Sequence, residues 1–401
     1  MNGSKSRPDR IASHVRTMPP SGIRDFFDIV STMKDVISLG IGEPDFVTPW
    51  HIRESAIYSL ERGITSYTSN LGLLKLRQAL AGYVERVFGA SYNPANEVLV
   101  TVGVSEALDL AMRAILEPGD EVIFHEPCYV SYGPVIAFAY GKPVPIQTDP
   151  QGGFVLTAAQ VAAAITPRTR AIILNYPNNP TGACLPEAEL KAICDLAVKH
   201  DLIVIADDIY AELSYDHPHT SAASLPGLKD RTIFLHGFSK AWAMTGFRLG
   251  YACGPADLIG AMMKIHQYTM LCAPITSQEA AIEALKHPDQ DINGMKAEYQ
   301  RRRNFIHASF TEMGLPCPRP AGAFYAFPNI AATGMTSKAF AYGLLEAEKV
   351  AVVPGTAFGP CGEGYVRCSY ATSMDQIKEA MVRFKRFAHQ RMAAKADRKS
   401  V

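Results

Sequence analysis

The sequence predicts an α/β protein: a mostly parallel sheet wrapped by helices, followed by a smaller α+β unit. Three observations carry that expectation. Short β-branched-rich runs recur through the middle of the chain, each bounded by turn residues. They are apolar throughout rather than alternating, as strands covered on both faces must be. Longer amphipathic stretches separate them, which is the rhythm of βαβ units and therefore of parallel pairing.

Taken in order, the strand runs are 98–102, 121–125, 143–147, 171–175, 202–207 and 232–236, with helical patterns such as 105–116, 186–200 and 257–270. After about residue 288 the rhythm changes. A long charged helix (293–313) leads into 322–327, a helix near 337–347, runs at 350–353 and 365–370, and a terminal helix from 373. The expected division is a large domain at 49–287 and a small one made of 1–48 with 288–401, because the N-terminal segment precedes the first clear sheet element. Ligands of parallel sheets gather at the carboxyl ends of the strands. The loops after the strands are therefore where chemistry is expected.

The bulk properties fit this picture. A chain of 401 residues suits two domains, and 48% apolar with 19% charged residues is an ordinary globular composition. Lys plus Arg equals Asp plus Glu at 39 each, which leaves no electrostatic footprint for nucleic acid or an anionic membrane. No apolar stretch approaches the ~20 residues of a membrane helix, and the N-terminus lacks the apolar segment of a secretory signal. The eight cysteines show no paired spacing and read as free thiols in a reducing compartment, the cytoplasm. The expected partners are small molecules and a second copy of the chain. GxGxxG, GxxxxGK[ST] and HExxH are all missing from the sequence, and no Cys/His cluster has metal spacing, so no metal is expected. His217-Pro218-His219 reads as a polar surface loop.

The segment from Gly237 to Gly250, GFSKAWAMTGFRLG, follows the run 232–236 directly. Lys240 stands there among small and apolar neighbours, where an unpaired ammonium is costly to bury. That cost vanishes if the amine is consumed as an imine, as pyridoxal phosphate chemistry requires. Arg248 can place a guanidinium fork on a phosphate, and Ser239 can add a hydroxyl.

This segment resembles the lysine signature of class I aminotransferases of fold type I, and the resemblance runs from about 21 to 387. It implies a seven-stranded, mostly parallel sheet in the large domain, pyridoxal 5′-phosphate as a Schiff base on Lys240, and a homodimer. In Leu202–Tyr210 it puts Asp207 against the pyridine nitrogen and Tyr210 on the 3′ oxygen, leaving Asp208 as a helix cap. In NYPNNPTG it puts Asn179 on the 3′ oxygen and near the substrate carboxylate. Gly103-Val104-Ser105 opens a helix after a strand, where free amides suit a phosphate. Tyr129 is the aromatic residue stacked on the ring, and Tyr67 reaches the phosphate of the neighbouring subunit's cofactor. Gly42 meets substrate through its backbone, and Arg367 takes the α-carboxylate in a bidentate grip. Gly237 departs from the pattern, since many relatives carry a phosphate-binding Ser there; Ser239 is the expected substitute.

The reaction implied is transfer of the amino group of an L-amino acid (aromatic, aspartate or related) to a 2-oxo acid such as 2-oxoglutarate, by ping-pong steps with Lys240 as the proton carrier. Ser105 stands where some aspartate- and prephenate-using relatives carry a Lys, and Phe26, Tyr67 and Tyr129 suit an aromatic side chain. Three rivals remain on the sequence. The same residues serve β-lyases and cyclopropane-forming synthases. GVSEA nearly spells a GxSxG nucleophile elbow, with Ser105 as a hydrolase nucleophile needing an acid and a His. An effector-sensing domain of a transcription regulator would share the fold, with a DNA-binding head attached.

Overall fold

The computed structural model describes residues 10–19 and 33–399, so Phe26 lies outside the described residues. The described strands are β1 (Ile37–Ser38), β2 (Val98–Thr101), β3 (Glu121–Glu126), β4 (Lys142–Gln147), β5 (Thr169–Leu174), β6 (Ile203–Asp207), β7 (Thr232–Gly237), β8 (Gly250–Cys253), β9 (Tyr325–Ala326), β10 (Val350–Ala351), β11 (Val353–Pro354) and β12 (Val366–Ser369). Seven of them form one sheet in the order β2-β8-β7-β6-β5-β3-β4. All its pairings are parallel except those of β8, which runs antiparallel to both β2 and β7.

The continuous apolar runs are strands buried on both faces, as expected. Along β2, Val98 and Val100 pack with Leu76 and Leu80 of one layer, while Leu99 packs with Leu108 and Met112 of the opposite layer. Along β7, Phe234 joins the first layer and Ile233 and Leu235 the second. The helices that supply those layers include α1 (Trp50–Glu61), α2 (Leu74–Phe88), α3 (Gly103–Ile115) and α4 (Tyr132–Phe138). Strand β4, KPVPIQ, is the exception in burial, exposed or half-buried along its whole length. Its two prolines cannot donate to a ladder on both sides, and β4 accordingly lies at the sheet edge.

Strand β8 was not among the expected strands. GYAC is a short run directly behind the glycine-rich signature, so its period is hidden by turn residues on its N-terminal side.

A second core gathers around α5 (Pro288–Glu312), α6 (Ser337–Glu348) and α7 (Met374–Lys399). Helix α5 buries Ile292, Met295, Tyr299, Arg302, Arg303, Ile306 and Phe310, a stripe at three- and four-residue spacing despite its charged composition. Strands β11, β12 and β9 form a three-stranded antiparallel sheet. Strand β1 pairs with β10 in parallel, Ile37 opposite Val350, which ties the chain before residue 48 to the C-terminal region. No helix among the described residues is long and apolar enough to cross a membrane.

Candidate active site

A cavity of about 490 Å³ opens at the carboxyl ends of the parallel strands, where the small sheet meets the large one. Of the residues singled out from the sequence, Gly42, Val104, Ser105, Tyr129, Asn179, Asp207, Tyr210, Ser239, Lys240, Arg248 and Arg367 line it. Gly103 and Tyr67, the latter 82% exposed, do not line it.

At one end α3 begins. Gly103 has a φ of +76°, and a Cβ there would lie 2.8 Å from Arg248 Nη2, so only glycine lets the guanidinium close on the helix start. The free first-turn amides and the exposed Arg248 together make an anion cradle. Gly250 of β8 supports it from behind: a Cβ there would come within 2.5 Å of Val104 N. Gly237 is similarly enclosed, with Gly250 Cα, Leu249 O and Val104 Cγ2 each 3.0 Å from an added Cβ. A side chain at that position would need those neighbours to give by a few tenths of an ångström, and Ser239, half-buried, puts a hydroxyl on the cavity wall.

In the middle, Asp207 ends β6. Its Oδ2 accepts a 2.6 Å hydrogen bond from Tyr132 Oη, while its buried Oδ1 has no partner. Burial pushes the Asp207 carboxyl up to about 6, and the Tyr132 bond works against that rise. Asn175 Nδ2 donates to the Asp207 carbonyl at 2.9 Å. Lys240 follows β7, half-buried, with Nζ donating to Gly42 O at 2.8 Å. Desolvation lowers its amine to about 8, helped by the positive charges of Arg367 and Arg248. Tyr210, on the loop after β6, bonds Tyr325 hydroxyl to hydroxyl at 2.8 Å, and burial drives its phenol well above the usual range.

At the far end, Arg367 of β12 is 3% exposed and fully enclosed. Its Nη1 donates to Asn179 Oδ1 at 2.9 Å and its Nη2 to Gly40 O at 2.5 Å, while Nε has no partner. The guanidinium lies 4.6 Å from the Tyr325 ring centroid and 4.8 Å from that of Phe358. The segment at the cavity mouth is held from both sides. Glu43 accepts from Thr245 Oγ1, Thr48 donates to Ala243 O at 2.6 Å, and Asp45 pairs with Arg302 at 2.7 Å.

Sequence reasoning missed Tyr132 and Tyr325. Neither sits in a motif with chemical meaning; their hydroxyls reach Asp207 and Tyr210 only through tertiary folding. One other expectation is corrected. Asp208 is not a helix cap: it faces His219 at 3.2 Å. The loop is otherwise at the surface, as read: His217 and Pro218 are exposed, and only His219 turns in, half-buried, towards that carboxylate. No histidine lines the cavity among the described residues, so Ser105 has no base of the kind a serine hydrolase needs.

The family model described as "Aminotransferase class I and II" matches residues 34–384. The Bacillus subtilis (strain 168) protein named "Putative aminotransferase YugH" is 55% identical over 379 residues, covering 94% of this chain and 98% of that one. An aspartate aminotransferase of Pyrococcus abyssi is 46% identical over 370 residues, covering 92% and 95%. Among solved structures, an aromatic aminotransferase from Pyrococcus horikoshii superposes with a TM-score of 0.88 at 44% identity, covering 92% and 99%.

Proposed function

The chain belongs to the class I and II aminotransferase family, which uses pyridoxal phosphate, and from that premise we propose the roles of its cavity residues. The enzyme moves the amino group of an L-amino acid, aromatic, aspartate or related, to a 2-oxo acid such as 2-oxoglutarate.

The residues present fit the cofactor. The cradle of α3 and Arg248 suits a phosphate, and Tyr129 supplies a ring face for stacking. Asp207 Oδ1 is a buried carboxylate oxygen lacking a partner, and a protonated ring nitrogen is the cation it needs. When bound, pyridoxal phosphate supplies an aldehyde that condenses with amines and a protonated ring that takes up electrons.

Gly103, Val104, Ser105, Ser239 and Arg248 hold the phosphate. Asp207, steadied by Tyr132, keeps its charge against the ring nitrogen, while Tyr210 and Asn179 donate to the 3′ oxygen. Arg367 binds the substrate α-carboxylate through both Nη atoms, exchanging its hold on Gly40 O for that anion. Gly42 offers its backbone to substrate, exchanging its hold on Lys240. Lys240 would hold the cofactor through its amine, as a Schiff base. When free, its Nζ would take the proton from the substrate Cα and later return one. Burial favours this role by keeping the amine less basic than an exposed lysine.

We extend the proposal to organisation. The large domain is 49–287 and the small domain 1–48 with 288–401. The protein is a homodimer in which Tyr67 reaches the partner's cofactor phosphate. Tyr67 and Tyr268 are 82% and 84% exposed, and Asn70 Nδ2 donates to the Leu271 carbonyl at 2.7 Å, which brings the two exposed segments together. A cytoplasmic location agrees with eight free cysteines.

The observation that carries the reading is one cavity that holds the Lys240 amine, an unpartnered Asp207 oxygen and the Arg367 fork. The purified protein is expected to bind pyridoxal phosphate with a visible absorption band. That band should shift on adding a donor from a panel of L-aspartate, L-alanine, L-phenylalanine, L-tyrosine and L-lysine. Lys240→Ala is expected to lower turnover by at least about a thousandfold, the scale of losing a general acid–base together with the anchor. Turnover surviving in that variant sinks the assignment.

A further inference from the structure

Tyr325 is a cavity residue whose contacts no assigned role uses. It sits on β9, two rungs from the level of Arg367 and so on the same face: Ser369 pairs with Tyr325 and Cys368 with Ala326. Its ring is 1% exposed and lies beneath the Arg367 guanidinium, 4.6 Å from centroid to Cζ. Its hydroxyl is 2.8 Å from that of Tyr210, which comes from the loop after β6 of the large sheet. A Cβ on Gly42 would lie 2.6 Å from the same hydroxyl, so the mouth segment passes directly over it. One side chain thus touches the oxygen donor in the middle of the site and the carboxylate binder at its far end.

Proton counting sets the direction of the hydroxyl pair. Each phenol has one proton to donate. If Tyr210 donates to the cofactor's 3′ oxygen, its own oxygen can only accept from Tyr325. The two hydroxyls then form a chain of donors, Tyr325 to Tyr210 to the 3′ oxygen, and each bond polarises the next. The ring face is electron-rich and carries the guanidinium by a cation–π contact, in a place where Arg367 Nε finds no hydrogen-bond acceptor.

We propose that Tyr325 is a positioning residue with two separable duties: its hydroxyl locks Tyr210 as a donor to the cofactor's 3′ oxygen, and its ring seats Arg367 for the substrate carboxylate. The proposal rests on the roles given above to Tyr210 and Arg367. Because β9 belongs to the small sheet and Tyr210 to the large one, Tyr325 also joins the two halves of the site.

Two substitutions separate the duties. In Tyr325→Phe the ring stays and the hydroxyl goes. A donor to the 3′ oxygen favours its deprotonated form, so weakening that donor raises the pH at which the visible band of the loaded enzyme titrates. A rise of about half a pH unit is expected, against about one unit or more for Tyr210→Phe, on the scale of a charge-assisted hydrogen bond. The KM for the better of L-phenylalanine and L-aspartate should stay within about twofold, since the ring still seats the arginine. In Tyr325→Leu that KM should rise about tenfold, the scale of removing a buried cation–π interaction. In the Tyr210→Phe background, Tyr325→Phe should add no further shift.

The outcomes distinguish the inference from the reading beneath it. If Tyr210→Phe moves the titration and Tyr325→Phe does not, the donor chain is wrong while the role of Tyr210 stands. An equal shift from Tyr325→Phe with or without Tyr210 also overturns it, because the effect then travels by another route. If Tyr210→Phe leaves the titration unmoved, the assignment of Tyr210 fails and the donor chain with it. An unchanged KM in Tyr325→Leu removes the second duty.

Discussion

Lys240 shows how burial turns a common side chain into a reagent. The folded chain lowers its amine to about 8 by taking it out of water, with Arg367 and Arg248 adding positive charge nearby. The neutral, nucleophilic form therefore dominates above about pH 8 in the cofactor-free protein, whereas exposed lysines need about 10.5. Labelling of that protein by an acylating reagent, followed residue by residue by mass spectrometry, should show Lys240 half-reacting near pH 8. A midpoint matching the surface lysines would show that the site leaves the amine fully solvated. Lys240 stands out in the sequence as a charge where an apolar strand ends, whereas Asp207 is told from its neighbour only through the family resemblance. Asp208 misleads, since a second carboxylate in that loop looks like a cap until His219 is seen folded against it.

At the scale of elements, the cradle depends on how closely β8 approaches the start of α3. Gly250 has no room for a Cβ, which would lie 2.5 Å from Val104 N and 2.6 Å from Gly103 C. Both are backbone atoms of the turn itself, so the strain cannot be relieved by rotating a side chain. Gly250→Ala should cost about 1–3 kcal/mol of stability, the range for overpacking, and weaken cofactor binding about tenfold or more. Thermal denaturation of the cofactor-free protein and a titration with pyridoxal phosphate measure the two effects separately. An unchanged affinity would show that the turn does not hold the phosphate. The parallel strands and α3 are plain from period and turn residues, and the proline-rich 143–147 run is found as a strand. That β8 is antiparallel is not legible, because direction is decided by the path of the loop before it and not by its own four residues.

For the whole molecule, the proposed assembly makes one site from two chains. A heterodimer pairing a Lys240→Ala chain with a Tyr67→Phe chain then contains one intact site, with Lys240 from the second chain and Tyr67 from the first. Its activity per dimer should be about half that of the unaltered enzyme, well above either altered homodimer, as counting intact sites requires. If the heterodimer is no better than the Tyr67→Phe homodimer, Tyr67 serves its own chain. Gel filtration of the differently tagged pair confirms that the measured species is the dimer.

Within one chain, the sequence by itself determined the sheet-and-helix order and the family, and through that resemblance it named charged and amide groups that line the cavity. Hydrophobic period is local: Asp207 and Arg367 lie on strands, and Lys240 and Asn179 on the loops that follow them, so each run marks where its residue falls. Only the tertiary structure decided that Tyr132 steadies Asp207 from 75 residues away and that Tyr325 meets Tyr210 across 115. A buried tyrosine looks the same in a sequence whether it fills a core or completes a hydrogen bond. The difference is set by which oxygen lies within about 3 Å of its own, and only the folded chain fixes that distance.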